Sequence, residues 1–337
     1  MTSSGRQRTS AAVRVLAFSP DEHLPGAVAV FTSGLRALRR RVPALPVSFT
    51  GPQAARELLG GFLTPERALV ALEGGQLVGY LGWAEYETFR GVPRRAAASP
   101  EYGHGARRYR AVEIQRALYR AASARWWATG CGIYCVTDLA GNPGLERVWF
   151  ESGFGMLVQD ALRPLGPAAA LAGLPMTSPT AGLVARRAAI ADIPVLARLD
   201  AEHCRHYADP PVLMMPLTPQ TEDDLARFLA HEPNSIWLAE IEGRPQGFLR
   251  FEPESHGAAR ISRGPGTISI TGAFMRPAWR ARGAATAMLA GAIADYTRRG
   301  FDRMAVDYET INPEAMAFWP RYFKVVATSY LRVPERA

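Results

Sequence analysis

Lysine is almost missing from the chain. Lys324 is the only one, so 38 of the 39 basic residues are arginine, a bias that reads as the codon usage of a GC-rich genome. Cysteine is nearly as scarce. Cys131, Cys135 and Cys204 are too few, and odd in number, for a disulfide framework. Cys131 and Cys135 have no second Cys or His pair at zinc spacing, so both read as small buried hydrophobes. His203-Cys204-x-His206 lacks a clear third and fourth ligand, and no metal is expected there. No apolar run approaches the roughly 20 residues needed to cross a bilayer, so no membrane partner is expected. The start, MTSSGRQRTSAAVRVLAF, lacks the long apolar segment of a signal peptide, which makes the cytoplasm the expected location.

What is present suits a folded protein. The chain has 337 residues, 48% hydrophobic and 21% charged, ample for a real core. At roughly 150 residues per domain, the length predicts two domains. The net charge of +8 is uneven: residues 1–165 hold 20 Arg against 13 acids, and the remainder is nearly balanced. Arg36 and Arg39–Arg41 cluster, as do Arg94, Arg95, Arg107, Arg108 and Arg110 near Tyr102 and Tyr109. Arginines among aromatics can grip a polyanion, yet charge runs are usually solvated faces and no nucleic-acid motif is present. Nucleic acid is therefore not the expected partner.

The two parts repeat each other. VALEGGQLVGYLGW (70–83) resembles LAEIEGRPQGFLRF (238–251), with Ala71, Gly75 and Gly79 matching Ala239, Gly243 and Gly247 at an offset of 168. Both segments read as β-hairpins. Gly130 and Gly300 each follow a helical stretch, and Asn142-Pro143 with Trp149 mirrors Asn312-Pro313 with Trp319, all at an offset of 170. The reading is two copies of one fold: residues 1–165, a Pro/Ala/Gly-rich linker at 166–182, and residues 183–337. Each copy reads as strand, helical region, hairpin, strand, helix, strand, helix, strand. That order implies an α/β (α+β layered) architecture.

One segment carries chemistry. After the predicted strand Thr267–Met275 comes Arg276-Pro-Ala-Trp-Arg280-Ala-Arg282-Gly283-Ala-Ala285, and then a helix from Ala284. Successive backbone N–H groups in such a loop, with the helix N-terminus, form an anion cradle. Gly283 permits close approach of a ligand, small Ala285 leaves room beside it, and Arg280 and Arg282 add charge-assisted donors.

Met275-x-Pro277 followed by Arg280-x-x-Gly283-x-Ala285 resembles the signature of the GNAT family of N-acetyltransferases. Asn312 and Trp319 stand where that family places an Asn and, seven residues on, an aromatic, usually Tyr. The resemblance covers residues 183–333. The first copy fits more loosely: Asn142, Trp149 and Gly153-Phe154 match, but the phosphate-loop register is absent at Gly103-His104-Gly105-Ala106. Residues 1–165 are therefore expected to be a degenerate copy without acyl-CoA binding. The resemblance implies two tandem domains, each with a mixed, mostly antiparallel central sheet flanked by helices.

It also implies an activity: direct transfer of an acetyl group from acetyl-CoA, or another acyl-CoA, to a primary amine in a ternary complex. A small-molecule acceptor is expected, since the other copy can cover the acceptor side. The implied cofactor contacts are Ala273, Phe274, Met275, Arg280, Ala281, Arg282, Gly283, Ala284, Ala285, Thr286, Asn312 and Trp319. An indole N–H is no practical acid, so Tyr322, one helical turn on, is the candidate proton donor. Candidate bases are Glu252, Asp307 and Glu309. The acceptor is expected against AEHCRHYADPPVLMMP, with His203, His206 and Tyr207 as candidate contacts beside Met214 and Met215. Two other readings stay open: a non-catalytic acyl-CoA-binding or regulatory module, and a polyanion-binding adaptor.

Overall fold

The computed structural model describes residues 12–166, 173–174 and 180–335; most of the expected linker lies outside them. The first half runs β1 (Arg14–Ala17), α1 (Pro20–Arg41), α2 (Pro52–Gly60), β2 (Ala68–Glu73), β3 (Gln76–Gly82), β4 (Ala84–Tyr86), β5 (Ala96–Ser99), β6 (His104–Ala106), α3 (Ala111–Ala128), β7 (Ile133–Leu139), α4 (Pro143–Glu151) and β8 (Gly155–Pro164). The second runs β9 (Leu183–Arg187), α5 (Ile193–Ala208), α6 (Glu222–Ala230), β10 (Ser235–Ile241), β11 (Arg244–Glu252), β12 (Thr267–Met275), α7 (Ala284–Arg298), β13 (Arg303–Glu309), α8 (Pro313–Phe318) and β14 (Lys324–Arg332). Among the described residues, no helix is long and apolar enough to cross a membrane.

The repeat is real down to the hydrogen-bond register. Ala71 pairs with Gly79 in the β2–β3 hairpin, and Ala239 pairs with Gly247 in β10–β11. Each hairpin has a register shift at the residue after that alanine. The turns agree as well: Gly74 and Gly75, then Glu242 and Gly243, all have positive φ. Farther on, β5 runs parallel to β7, as β12 does to β13. The element following that parallel strand differs, however. In the second half β12 continues along β11, whereas in the first half residues 100–103 break the equivalent strand into β5 and β6. Pro100 lacks the N–H that a continuing ladder would need.

The halves are joined by an exchange of their last strands. The larger sheet has the order β4-β5-β7-β14-β8-β13-β12-β11-β10-β9, and β1-β2-β3-β6 forms the smaller. Strand β8 of the first half lies against β13 of the second, and β14 of the second lies against β7 of the first. The cores follow the exchange. Ala161 and Leu165 pack with Met288, Ile293 and Tyr308, and Tyr330 packs with Trp126 and Trp149. A further core around Phe31 and Leu35 on α1 takes in Ile261, Ala305 and Val326 from the second half.

Candidate functional site

A splay between β12 and β13 makes the site. The two strands pair only from Thr267 to Ile270 against Arg303 to Val306. Beyond that point, β12 stays with β11 after a bulge at Thr271 and leaves the rest of its other edge open. Chain then turns through Pro277–Trp279 into α7. Ala281 (φ 57°) and Gly283 (φ 85°) both adopt the left-handed conformation, which glycine enters without steric cost and alanine does not. Gly283 is the N-cap of α7 and no side chain caps this end, so the first-turn N–H groups have no partner within the helix.

These elements enclose a cavity of about 390 Å³. Ala273, Phe274 and Met275 of β12 line it, with Arg280, Ala281, Gly283, Ala284, Ala285 and Thr286 of the turn and helix. Asn312 and Trp319 enter from around α8, and His206 and Tyr207 from the end of α5. Of the cofactor contacts expected from the sequence, Arg282 alone does not line it; its guanidinium lies 5.2 Å from the centre of the Trp279 ring. Arg280 is braced: its Nε donates to the Met275 carbonyl at 2.9 Å and its Nη1 pairs with Glu314. Asn312 Oδ1 accepts the N–H groups of Glu314 and Ala315, capping α8 as an N-cap side chain does. Trp319 is buried (5% exposed) among Phe318, Phe323 and the α7 core.

The other candidates separate. His206 and Tyr207 face the cavity, but His203 is packed among Tyr207, Phe248 and Phe274 with its Nε2 buried and unpartnered. Burial, with Arg280 nearby, holds the His206 imidazole below its ordinary pKa. Burial and the neighbouring Glu309 carboxylate push the Tyr207 hydroxyl up to about 12, while Asn312 hydrogen-bonds it. Tyr322 lies behind the cavity wall, its hydroxyl 3.2 Å from Thr286 Oγ1. Glu252 accepts the Thr271 hydroxyl at 2.5 Å, beside the bulge.

Asp307 and Glu309 lie on the splayed part of β13, two residues apart and hence on one face. Arg90, from the first half, donates to Glu309 Oε1 at 2.6 Å, and Glu309 Oε2 is buried without a partner. Burial raises the Glu309 carboxyl, and Arg90 only partly offsets it. Asp307 is also raised by burial, with Ser255 hydrogen-bonded to it. Sequence reasoning missed Arg90, Glu314, Phe318 and Arg321. The last three sit on or beside a short helix whose pattern is too brief to show which side chains face inward. Arg90 is far away in sequence, on the loop between β4 and β5.

The matching place in the first half is filled. Gly79 pairs with Ala106 as Gly247 pairs with Met275, so His104 takes the position of Ala273. Its Nε2 is 2.6 Å from Asp138 Oδ1, its Nδ1 is 3.0 Å from Ser99 Oγ, and Trp149 Nε1 donates to Asp138 Oδ2 at 2.6 Å. Only residues 107–110 separate β6 from α3, and none has positive φ. The adjoining cavity is only about 80 Å³.

Residues 202–323 match the model of the Acetyltransferase (GNAT) family. Among solved structures, a GCN5-related N-acetyltransferase from Sphaerobacter thermophilus is similar at 14% identity and a TM-score of 0.54, covering 96% of this chain and 97% of that one. That likeness shows the fold over nearly the whole chain. A GCN5-related N-acetyltransferase from Anabaena variabilis (13% identity, TM-score 0.41) covers 96% of this chain and 73% of its own. A tandem GNAT protein from the clavulanic acid biosynthesis pathway (13% identity, TM-score 0.45) covers 97% and 100%. A search of curated proteins found no match. That family match supports acyl-CoA-dependent acetyl transfer in general terms.

Proposed function

We propose that the second half transfers an acetyl group from acetyl-CoA, or a related acyl-CoA, to a primary amine of a small molecule while both substrates are bound. The observation that carries this reading is the meeting, in one cavity, of the splayed β12 edge and the uncapped N-terminus of α7. Backbone N–H groups at 281–286 suit the diphosphate of a CoA ester, because an uncapped helix start offers both donors and a favourable dipole. Ala273, Phe274 and Met275 offer the open strand edge along which the pantetheine amides can pair. The same place in the first half is closed by His104, Asp138 and Trp149, so we assign acyl-CoA binding to the second half alone.

In the transfer, the amine nitrogen bonds to the thioester carbonyl carbon and the C–S bond breaks, its electron pair leaving with sulfur. One proton leaves the nitrogen and one reaches the thiolate. We assign the first to Glu309, whose unpartnered Oε2 is free to accept it. The raised carboxyl narrows the mismatch with an amine. We assign the second to Tyr207, which faces the cavity and keeps its O–H at neutral pH. Asp307 adds negative charge beside Glu309. Glu252 and Tyr322 act through Thr271 and Thr286 and brace the walls.

The test is thiol release from acetyl-CoA across a panel of small amines, with N-acetylated product identified by mass. The reading expects turnover that stops when either substrate is omitted. Tight acetyl-CoA binding without thiol release from any amine would leave a non-catalytic acyl-CoA-binding module.

A further inference from the structure

The sheet that joins the halves carries a third cavity, about 370 Å³. Its floor is the face created by the strand exchange. Thr137 on β7 and Ser329 on β14 are register partners with hydroxyls 2.8 Å apart, and Asp160 on β8 is the register partner of Asp307 on β13. Because side chains alternate along a strand, Glu309, opposite Val158, shares this face with Asp307 and Asp160. The strand face that floors the chamber thus carries both carboxylates on β13, beside the chamber and not in its lining. The roof is the β11–β12 connection. It is pinned where Asp160 Oδ1 accepts the Ala259 N–H at 2.6 Å and Glu101 Oε1 accepts the Ile261 N–H at 3.0 Å. Tyr86 and Tyr102 help to close the chamber.

Both signs of charge line this space. Asp160 and Glu101 are each 3% exposed. Facing them are Arg263, fixed on the carbonyls of His256 and Ala258, and Arg260. Arg260 is exposed, and its guanidinium has no hydrogen-bond or ion-pair partner among the described residues. A purely cationic ligand would leave both arginines opposed, and a purely anionic one would be set against buried carboxylates. A molecule with one charge of each sign satisfies both.

We propose that this chamber binds the acceptor and that the acceptor is an amino-acid-like zwitterion, its amine over Asp307 and Glu309 and its carboxylate on Arg260. The assignment rests on the transferase reading above and names its substrate class. Burial holds Asp160 and Asp307 above the usual carboxylate range, and an arriving ammonium would favour their ionised forms. The first half, without a cofactor groove of its own, thus supplies part of the acceptor wall through Glu101, Tyr102, Thr137 and Asp160.

The full chain, acetyl-CoA, and the standard amino acids beside their decarboxylated amines provide the test, read as thiol release. At least one amino acid should exceed its decarboxylated counterpart by about tenfold in kcat/KM, the scale of one charge-assisted contact. Arg260→Ala should remove that preference by raising KM for the acid to that of the amine, with acetyl-CoA affinity unchanged. Arg260→Lys should restore part of it. Equal or better turnover of the decarboxylated amines, or a preference untouched by Arg260→Ala, would overturn the zwitterion assignment and leave the transferase reading intact. Turnover of no amine in either set, with acetyl-CoA bound, would overturn both.

Discussion

Glu309 is a point of contact between the two halves at the candidate site. Its Oε1 is held by Arg90 from the first half, and its Oε2 is buried and free to accept a proton. Glu309→Gln keeps the shape and the Arg90 contact but removes proton acceptance. It should lower kcat by about 10²-fold, the usual share of a positioned base, with acetyl-CoA affinity measured by calorimetry unchanged. The sign of the pH effect follows from the environment. A base works in its deprotonated form, so activity should rise as pH increases through the raised Glu309 carboxyl. Removing the Arg90 cation leaves burial uncompensated and raises that carboxyl further. Arg90→Ala should thus shift the acid limb of the rate profile to higher pH, with Arg90→Lys shifting it less; an unmoved limb would remove Glu309 as the base. The sequence made Glu309 a candidate through its place after a strand, but its partner 219 residues away had no local signal.

Among the elements, the turn between β12 and α7 was the most legible. Its Arg-x-x-Gly-x-Ala spacing, a strand before it and an apolar helix after it all point to one geometry, and Gly283 takes the left-handed conformation that this geometry requires. Gly283→Val should cost about 1–2 kcal/mol from backbone strain alone. It should also weaken acetyl-CoA binding by more than tenfold (roughly, one lost charge-assisted contact or more), seen as a lower Tm and a raised Kd together. Other elements were less legible. The last helix is short: α8 gives way to a 3-10 turn at Trp319–Arg321, because Pro320 cannot supply an N–H. The substrate-side region split as well: one turn of α5 places His206 and Tyr207 on the cavity and His203 in an aromatic core, a choice its composition does not encode.

For the whole molecule, length and internal repeat made two copies legible, and the register of the hairpins bears that out. The exchange of β8 and β14 was not legible. Each strand is apolar enough to pair in either half, and the pairing is decided by which neighbours it meets in three dimensions. The consequence is physical: a chain cut to residues 183–337 lacks β8, leaving β13 and β14 without the strand that both pair with. Exposed edges of that kind aggregate. The fragment should be insoluble or lack a cooperative unfolding transition, and co-expression with residues 1–165 should recover a soluble complex. The intact chain should unfold in one calorimetric step. A soluble, cooperatively folded 183–337 fragment would show that the exchange is dispensable.

The division of labour within this joined molecule is the central claim: one half holds the acyl-CoA, and the other has closed its matching groove with His104, Asp138 and Trp149. Titration calorimetry of the full chain with acetyl-CoA tests it most directly. The account predicts one site per chain, abolished by Gly283→Glu and unaffected by His104→Ala. Two equal sites, or a single site that survives Gly283→Glu, would contradict it.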